Sequence, residues 1–181
     1  MSPALSTAKR HCVAGKSGTG PALSCDKKTP AVRKSGVNQK VYRVIDANLN
    51  RSREGLRVCE EIARFILDDK CLTEEFKGLR HKITGCIKFY PARLQDIVSA
   101  RDSGNDVGRG RQAIERRRKD WKEVCLANME RVKESLRALE EFSKLVDIRI
   151  ADKFKRLRFK AYEAEKKLIS RLPASGRGFR S

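Results

Sequence analysis

Aromatic residues are scarce in this chain: one tryptophan, three tyrosines and seven phenylalanines in 181 positions. Histidine is scarcer still, with only His11 and His81. The six cysteines, at 12, 25, 59, 71, 86 and 125, form no CxxC pair and have no ligand-like spacing with either histidine. A zinc site of ordinary pattern is therefore not expected. No apolar run approaches the roughly 20 residues of a membrane span, and the basic N-terminus lacks the apolar core of a signal peptide. The expectation is a cytoplasmic protein with free thiols and no membrane partner. Cys59 falls on an apolar helical stripe, where a cysteine is more often a small core residue than a nucleophile. Alternating apolar runs, the usual sign of β-strands, are missing throughout. The fragment Gly15-Lys16-Ser17 looks like the end of a phosphate-binding loop, but that loop needs a glycine where Arg10 stands and a strand before it.

Charge, by contrast, is plentiful. Charged residues make up 36% of the chain and the formal charge is +19. Residues 1–40 carry eight Lys/Arg against Asp26 alone, 108–122 carry seven against Glu115 and Asp120, and 171–181 add three more. Only +4 remains on 41–107 and 123–170 together. A basic reading face on the folded core is not expected, and neither is a specific nucleic acid; the flanks can hold polyanions weakly and nonspecifically.

The chain also says nearly the same thing twice. Residues 47–61 read ANLNRSREGLRVCEE and residues 127–141 read ANMERVKESLRALEE, matching at a constant offset of 80. A second echo follows each copy, Phe76-Lys77-Gly78-Leu79-Arg80 and Phe154-Lys155-Arg156-Leu157-Arg158, offset by 78. Such duplication predicts two copies of one supersecondary unit packed about a pseudo-twofold axis. Most identities are polar, whereas a repeat kept for packing would mainly repeat its apolar positions. Two explanations stand: each copy brings the same Asn, Arg and Glu toward a shared site, or the repeats are solvated helix faces with spaced charge pairs. The second copy has Ser135 where the first has Gly55, a difference expected to matter little on a helix.

Residues 1–40 are rich in Ser, Gly, Lys and Pro without periodicity and read as a disordered basic leader. Helical periodicity starts near Val41. Over 46–69, Ser52, Leu56, Cys59, Ile62, Ala63 and Ile66 gather on one side, with Glu54, Arg57, Glu61, Arg64 and Asp68 opposite. Asn48 points close to the apolar stripe, so its amide needs a hydrogen-bond partner if buried. Thr73 is the expected cap of a second helix running to about Tyr90. Pro91 opens a short third helix through Ala100, the turn-rich loop Arg101–Gly108 follows, and a basic connector leads into helices over 118–146 and 148–171. The predicted fold is an all-α bundle of about five helices built from two helical hairpins. Its domain spans 41–170: repeat one 41–90, loop and connector 91–117, repeat two 118–170, with a flexible tail over 171–181.

Candidate chemistry lies in two places. Asp102 and Asp106 in the loop can ligate Mg²⁺, which favours carboxylates plus phosphate oxygens; local turn chemistry explains the same residues. Arg51, Arg57, Arg131 and Arg137 offer planar forks for phosphate or carboxylate. Each also has a Glu three or four residues away on its helix, and a crossed Arg51–Glu134, Arg131–Glu54 pairing is a further structural alternative. His81 can serve in acid–base work, although an exposed helix histidine is the plainer expectation.

These motifs resemble a known family. Asp46-Ala47-Asn48-Leu49-Asn50-Arg51, Arg53-Glu54-Gly55-Leu56-Arg57-Val58, Leu79-Arg80-His81, Arg101-Asp102 with Asp106-Val107-Gly108, and Ala127-Asn128 through Glu141 are similar to a helical domain that precedes thiamine-phosphate synthase in several bacteria. The resemblance covers about 41–170. It implies a role in thiamin biosynthesis, in which hydroxymethylpyrimidine phosphate is phosphorylated to the diphosphate with ATP as co-substrate and Mg²⁺ as cofactor. No synthase barrel follows within these residues, so synthase activity is not expected of them. Under this resemblance Asp102 and Asp106 hold Mg²⁺, with Asp102 also catalytic. Arg51 and Arg131 clamp phosphates, helped by Arg57, Arg80, Arg101 and Arg137. Asn48 and Asn128 orient the substrate, and Glu54 or Glu134 acts on the pyrimidine or its hydroxyl. The rival expectations are a non-catalytic helical partner of thiamine-phosphate synthase and a polyanion-binding protein acting through its basic flanks.

Overall fold

The computed structural model describes residues 39–107 and 118–172. The expectations for the leader, the Gly110–Lys119 connector as far as residue 117, and the end of the tail fall outside the described residues. Among the described residues there are five α-helices: α1 (Gln39–Phe65), α2 (Lys70–Cys86), α3 (Leu94–Ser99), α4 (Trp121–Ser143) and α5 (Ile148–Arg171), with a 3-10 turn at Ile87–Phe89 after α2. No strand occurs among the described residues, and none of their helices is long and apolar enough to cross a membrane. The fold is an all-α bundle.

Aspartates set most of the helix starts. Asp69, Asp120 and Asp147 each turn a carboxylate back onto the first free N–H groups of α2, α4 and α5, accepting from Leu72, Glu123 and Arg149 at 2.8–2.9 Å, which satisfies donors the helix itself cannot. This corrects the expected Thr73 cap. Thr73 lies inside the first turn of α2, and its hydroxyl donates to the Asp69 carbonyl at 2.7 Å. Pro91 does not open α3 either. A residue before proline is pushed to extended backbone; Tyr90 sits at φ −71°, ψ 142°, and α3 starts after Arg93, whose backbone N–H donates to the Asp96 carboxylate at 2.9 Å. At the end of α1, Asp68 takes the left-handed conformation at φ 49°. There the Leu67 and Asp69 N–H groups return to the carbonyls of Ile62 and Ala63, closing the helix as such caps do. Ile66 therefore leaves the apolar stripe and is 42% exposed.

The core follows the 3.6-residue period. Ile45, Leu49, Leu56, Cys59 and Ala63 of α1, Phe76, Leu79 and Ile83 of α2, Met129, Val132, Leu136 and Leu139 of α4 and Ile150, Phe154, Ala161 and Leu168 of α5 join in one buried cluster. Phe76 and Phe154, partners in the second sequence echo, are both fully buried. Helix α1 packs against α2 and α4, and α5 packs against α4 and α2, so the four long helices close a ring. Cys59 donates to the Cys125 carbonyl at 3.8 Å, while Gly55 faces Asn128 and Val132. Rising numbers on α1 thus meet falling numbers on α4, and the two helices run antiparallel. Between α2 and α5, Glu75 takes Lys167 and Asp69 takes Arg171, again in antiparallel order.

At Gly55 the backbone of α4 lies close against α1. A Cβ there would lie 2.8 Å from Val132 Cγ2 and 2.9 Å from the Asn128 carbonyl oxygen, closer than real Cβ atoms come. The Gly55/Ser135 difference between the repeats is thus consequential: the first copy needs the missing side chain so that the α4 backbone can approach.

Candidate functional site

Duplicated sequence produces duplicated contacts. Glu60 and Glu140 are 4% and 5% exposed. Each accepts from an arginine one turn earlier on its own helix, Arg57 at 3.1 Å and Arg137 at 2.9 Å. Each also accepts from the Nε of an arginine on the next helix, Arg80 at 3.0 Å and Arg158 at 2.9 Å. Arg57 and Arg137 reach on to Glu61 and Glu141. Three of the candidate phosphate ligands, Arg57, Arg80 and Arg137, are thus held by carboxylates that bind α1 to α2 and α4 to α5. A buried carboxylate must be paired in this way. Spacing along the helix already pairs Glu60 with Arg57 and Glu140 with Arg137; their bonds to Arg80 and Arg158 on the next helix were not legible, although the presence of both glutamates in both copies was the available signal.

The asparagines are also paired alike. Asn48 is buried and donates to the Val44 carbonyl at 2.9 Å; Asn128 donates to the Val124 carbonyl at 2.7 Å. Each amide is held against its own helix, with its partner four residues back. Arg51, Glu54, Arg131 and Glu134 are exposed. Arg51 makes no ion pair with Glu134, so that half of the crossed alternative does not form. Glu134 lines a groove of about 600 Å³ with Lys133, Arg137, Phe142 and Tyr162 between α4 and α5. His81 is exposed on α2. Cys59 is fully buried, and its hydrogen bond to Cys125, together with burial, pushes its thiol far above the ordinary range, which removes it as a nucleophile.

The loop after α3 breaks this symmetry. Arg101 donates from Nε and Nη2 to the two carboxylate oxygens of Asp46, at 2.7 and 2.8 Å. Asp46 is only 5% exposed, and the bidentate pairing raises the guanidinium's already high pKa, helped by the nearby negative charge of Glu54. One residue on, the Asp102 carbonyl accepts from Arg43 at 2.8 Å. The Asp102 carboxylate accepts from the backbone and side-chain nitrogens of Asn105 at 3.2 Å, and those bonds, with Arg43 nearby, hold its pKa below the usual value. The loop is thereby latched to the first half of α1, beside Asn50 and Glu54. Asp106 is exposed and is itself in contact with another group.

Asp102 and Asp106 form no cluster of three potential ligands with any described His, Cys, Asp or Glu. Two carboxylates suit Mg²⁺, which takes the rest of its oxygens from phosphate and water, provided that Asp102 exchanges the Asn105 amide for the ion. Asp46, as the anchor of the loop, went unrecognised in sequence reasoning because its partner lies 55 residues away.

Fold and site together define an all-α protein of two helical hairpins, with a polar loop latched to α1. Residues 43–167 match the ThiD2 family model, and the chain belongs to that family. It is 42% identical over 130 residues to a thiamine-phosphate synthase of Synechocystis sp., covering 71% of this chain and 36% of that protein. Likewise it is 41% identical over 141 residues to one from Nostoc punctiforme, covering 77% and 38%, and 39% identical over 132 residues to one from Rhodopirellula baltica, covering 72% and 35%. The chain therefore spans little more than a third of the length of these curated relatives. No solved structure gives a significant match.

Proposed function

We propose that this domain acts in thiamine biosynthesis by phosphorylating hydroxymethylpyrimidine phosphate to the diphosphate with ATP. The observation that carries the proposal is the Arg101–Asp46 latch, which holds the Asp102–Asp106 loop beside the α1 residues Asn50 and Glu54. Membership of the family and the thiamine-phosphate synthase relatives support the pathway; the reaction is our own step. A phosphate oxygen of the pyrimidine monoester attacks the γ-phosphorus, the bond to the β,γ-bridging oxygen breaks, and ADP leaves. The attacking oxygen is already ionised, so no general base is needed, and the work is positioning and charge neutralisation. Mg²⁺, when held by Asp102 and Asp106, would neutralise the phosphates. Arg51 and Arg131 clamp phosphate oxygens at the two exposed repeat positions. Asn48 and Asn128 orient the substrate by turning their amides from their own helix to the ring, and Glu54 or Glu134 accepts from the amino group of the pyrimidine. The test is Asp102→Ala. It loses turnover while helicity and Tm hold; a variant that unfolds, or that keeps full turnover, contradicts the assignment.

A second reading is favoured by the matched length. In the curated relatives the matched segment is about a third of a thiamine-phosphate synthase, so a helical module that docks on a synthase and serves it without catalysis fits the same comparison. It predicts no product from the domain alone and a complex with the synthase of the same cell.

A further inference from the structure

The two repeats differ in how they treat one cation. In repeat two, Lys133 donates to Glu130 at 2.7 Å and to Glu165 at 2.8 Å, and both Lys133 and Glu165 are largely buried, at 18% and 14% exposure. The equivalent position in repeat one is Arg53, at the offset of 80; those of the two carboxylates are Asn50 and, at the offset of 78, Ile87. The cation is kept and both of its neutralising partners are gone. Arg53 is partly buried, and its Nε is fully covered without a hydrogen-bond partner. An arginine nitrogen taken from water and left unpaired is costly, and the part of the guanidinium that is not covered is left to meet an outside group. One side of the bundle thus holds two carboxylates around one lysine, and the other holds an arginine with none.

From this contrast we infer that Arg53 binds a phosphate group of a small-molecule ligand, a contact to which the equivalent Lys133 of repeat two does not contribute. The guanidinium fork suits a tetrahedral oxyanion, which it can meet with two parallel hydrogen bonds. Neighbouring charges leave the place to Arg53: Asp46, two turns back on α1, is taken by Arg101, and Arg57, one turn on, is taken by Glu60 and Glu61. At the Lys133 position the same oxyanion would meet Glu130 and Glu165, which already hold the cation. The pyrimidine phosphate as ligand rests on the proposed function; an oxyanion at Arg53 does not.

The experiment uses the full chain and inorganic pyrophosphate as probe, at an ionic strength held constant with sodium chloride. Titration is followed by the ¹⁵N resonances of the arginine Nε–H groups and by calorimetry, in the wild type, Arg53→Met and Lys133→Met. The expected result is a saturable shift of the Arg53 resonance and a loss of about ten- to a hundredfold in affinity in Arg53→Met, the range of a hydrogen bond to a charged group. Arg53→Met keeps its Tm, because no partner is abandoned. Lys133→Met binds as the wild type does but melts lower, because Glu165 loses its cation. An unmoved Arg53 resonance, or equal loss of affinity in both variants, overturns the inference. A loss of Tm in Arg53→Met with affinity intact overturns it too. Pyrophosphate bound at Arg53 without any turnover leaves this site standing and removes the kinase proposal instead.

Discussion

Arg101 grips Asp46 through two parallel hydrogen bonds of 2.7 and 2.8 Å, and this one pair ties the only long asymmetric loop among the described residues to the helix that opens the first repeat. Asp46 is buried in the α1 surface while Arg101 remains half exposed, so the carboxylate acts as the fixed anchor and the guanidinium as the latch. Asp46→Asn should free the 101–107 segment: limited proteolysis there accelerates and turnover falls, with only a small drop in Tm because the core does not depend on the loop. An unchanged cleavage rate would mean that Arg43 and Asn105 suffice to hold it.

Gly55 should be the least replaceable glycine among those described. Gly55→Ala drives a methyl group into the Asn128 carbonyl, which a helix backbone cannot withdraw. Overpacking of this kind costs about 1–3 kcal/mol, offset by about 1 kcal/mol of helix propensity, for a net loss of about 1 kcal/mol in urea denaturation. Gly78→Ala is the control. Nothing lies within 4 Å of its added carbon, and it should gain about 0.5–1 kcal/mol.

The two buried glutamates should behave as a matched pair. Glu60→Ala and Glu140→Ala each leave two arginines without their shared carboxylate. Hydrogen bonds to charged groups contribute about 1.5–3 kcal/mol, and the lower end applies because Arg57 and Arg137 reach solvent. Denaturation should give a loss of about 2 kcal/mol for each, equal within error. A large inequality would show that the two hairpins are not held alike.

Acid should weaken the bundle through its caps. Asp69 and Asp147 have lowered pKa values, Asp69 first through the Leu72 N–H and Asp147 first through Arg149. A carboxylate depressed in the folded state binds its proton more readily when unfolded. Its contribution is fully present above the unfolded value of about 3.9 and is lost as pH falls through the lower folded value. Tm should hold from pH 7 to about 5 and fall below about 4, less steeply in Asp69→Asn and Asp147→Asn, as thermal melts across that range will show.

Much of this fold was legible because helical periodicity is local. The fifth helix was expected over 148–171 and is found at Ile148–Arg171; the fourth is shorter at both ends because Asp120 caps it and its last turn closes at Ser143. What could not be read depended on contacts far apart in sequence. Thr73 and Asp69 are both good caps by residue type, and only the path of the chain out of α1, turned at Asp68, decides between them. Gly55 looked replaceable because helix propensity says nothing about the helix alongside. In the candidate site, the pairing of Arg57 with Glu60 and Glu61 follows from spacing, but the Arg101–Asp46 latch spans 55 residues and the Arg80–Glu60 bond depends on how α2 leans on α1. The contrast between Arg53 and Lys133 is present in the repeat itself, but its physical sense depends on Glu165 of α5, 32 residues from Lys133 in sequence.

The most direct measurement is to incubate the purified protein with hydroxymethylpyrimidine phosphate, ATP and Mg²⁺ and to look for the pyrimidine diphosphate by mass spectrometry. Phosphoryl transfer by this domain predicts the diphosphate together with an equal amount of ADP, both lost in Arg51→Ala and Asp102→Ala. Pyrimidine phosphate bound but unchanged, with ATP intact, would contradict it.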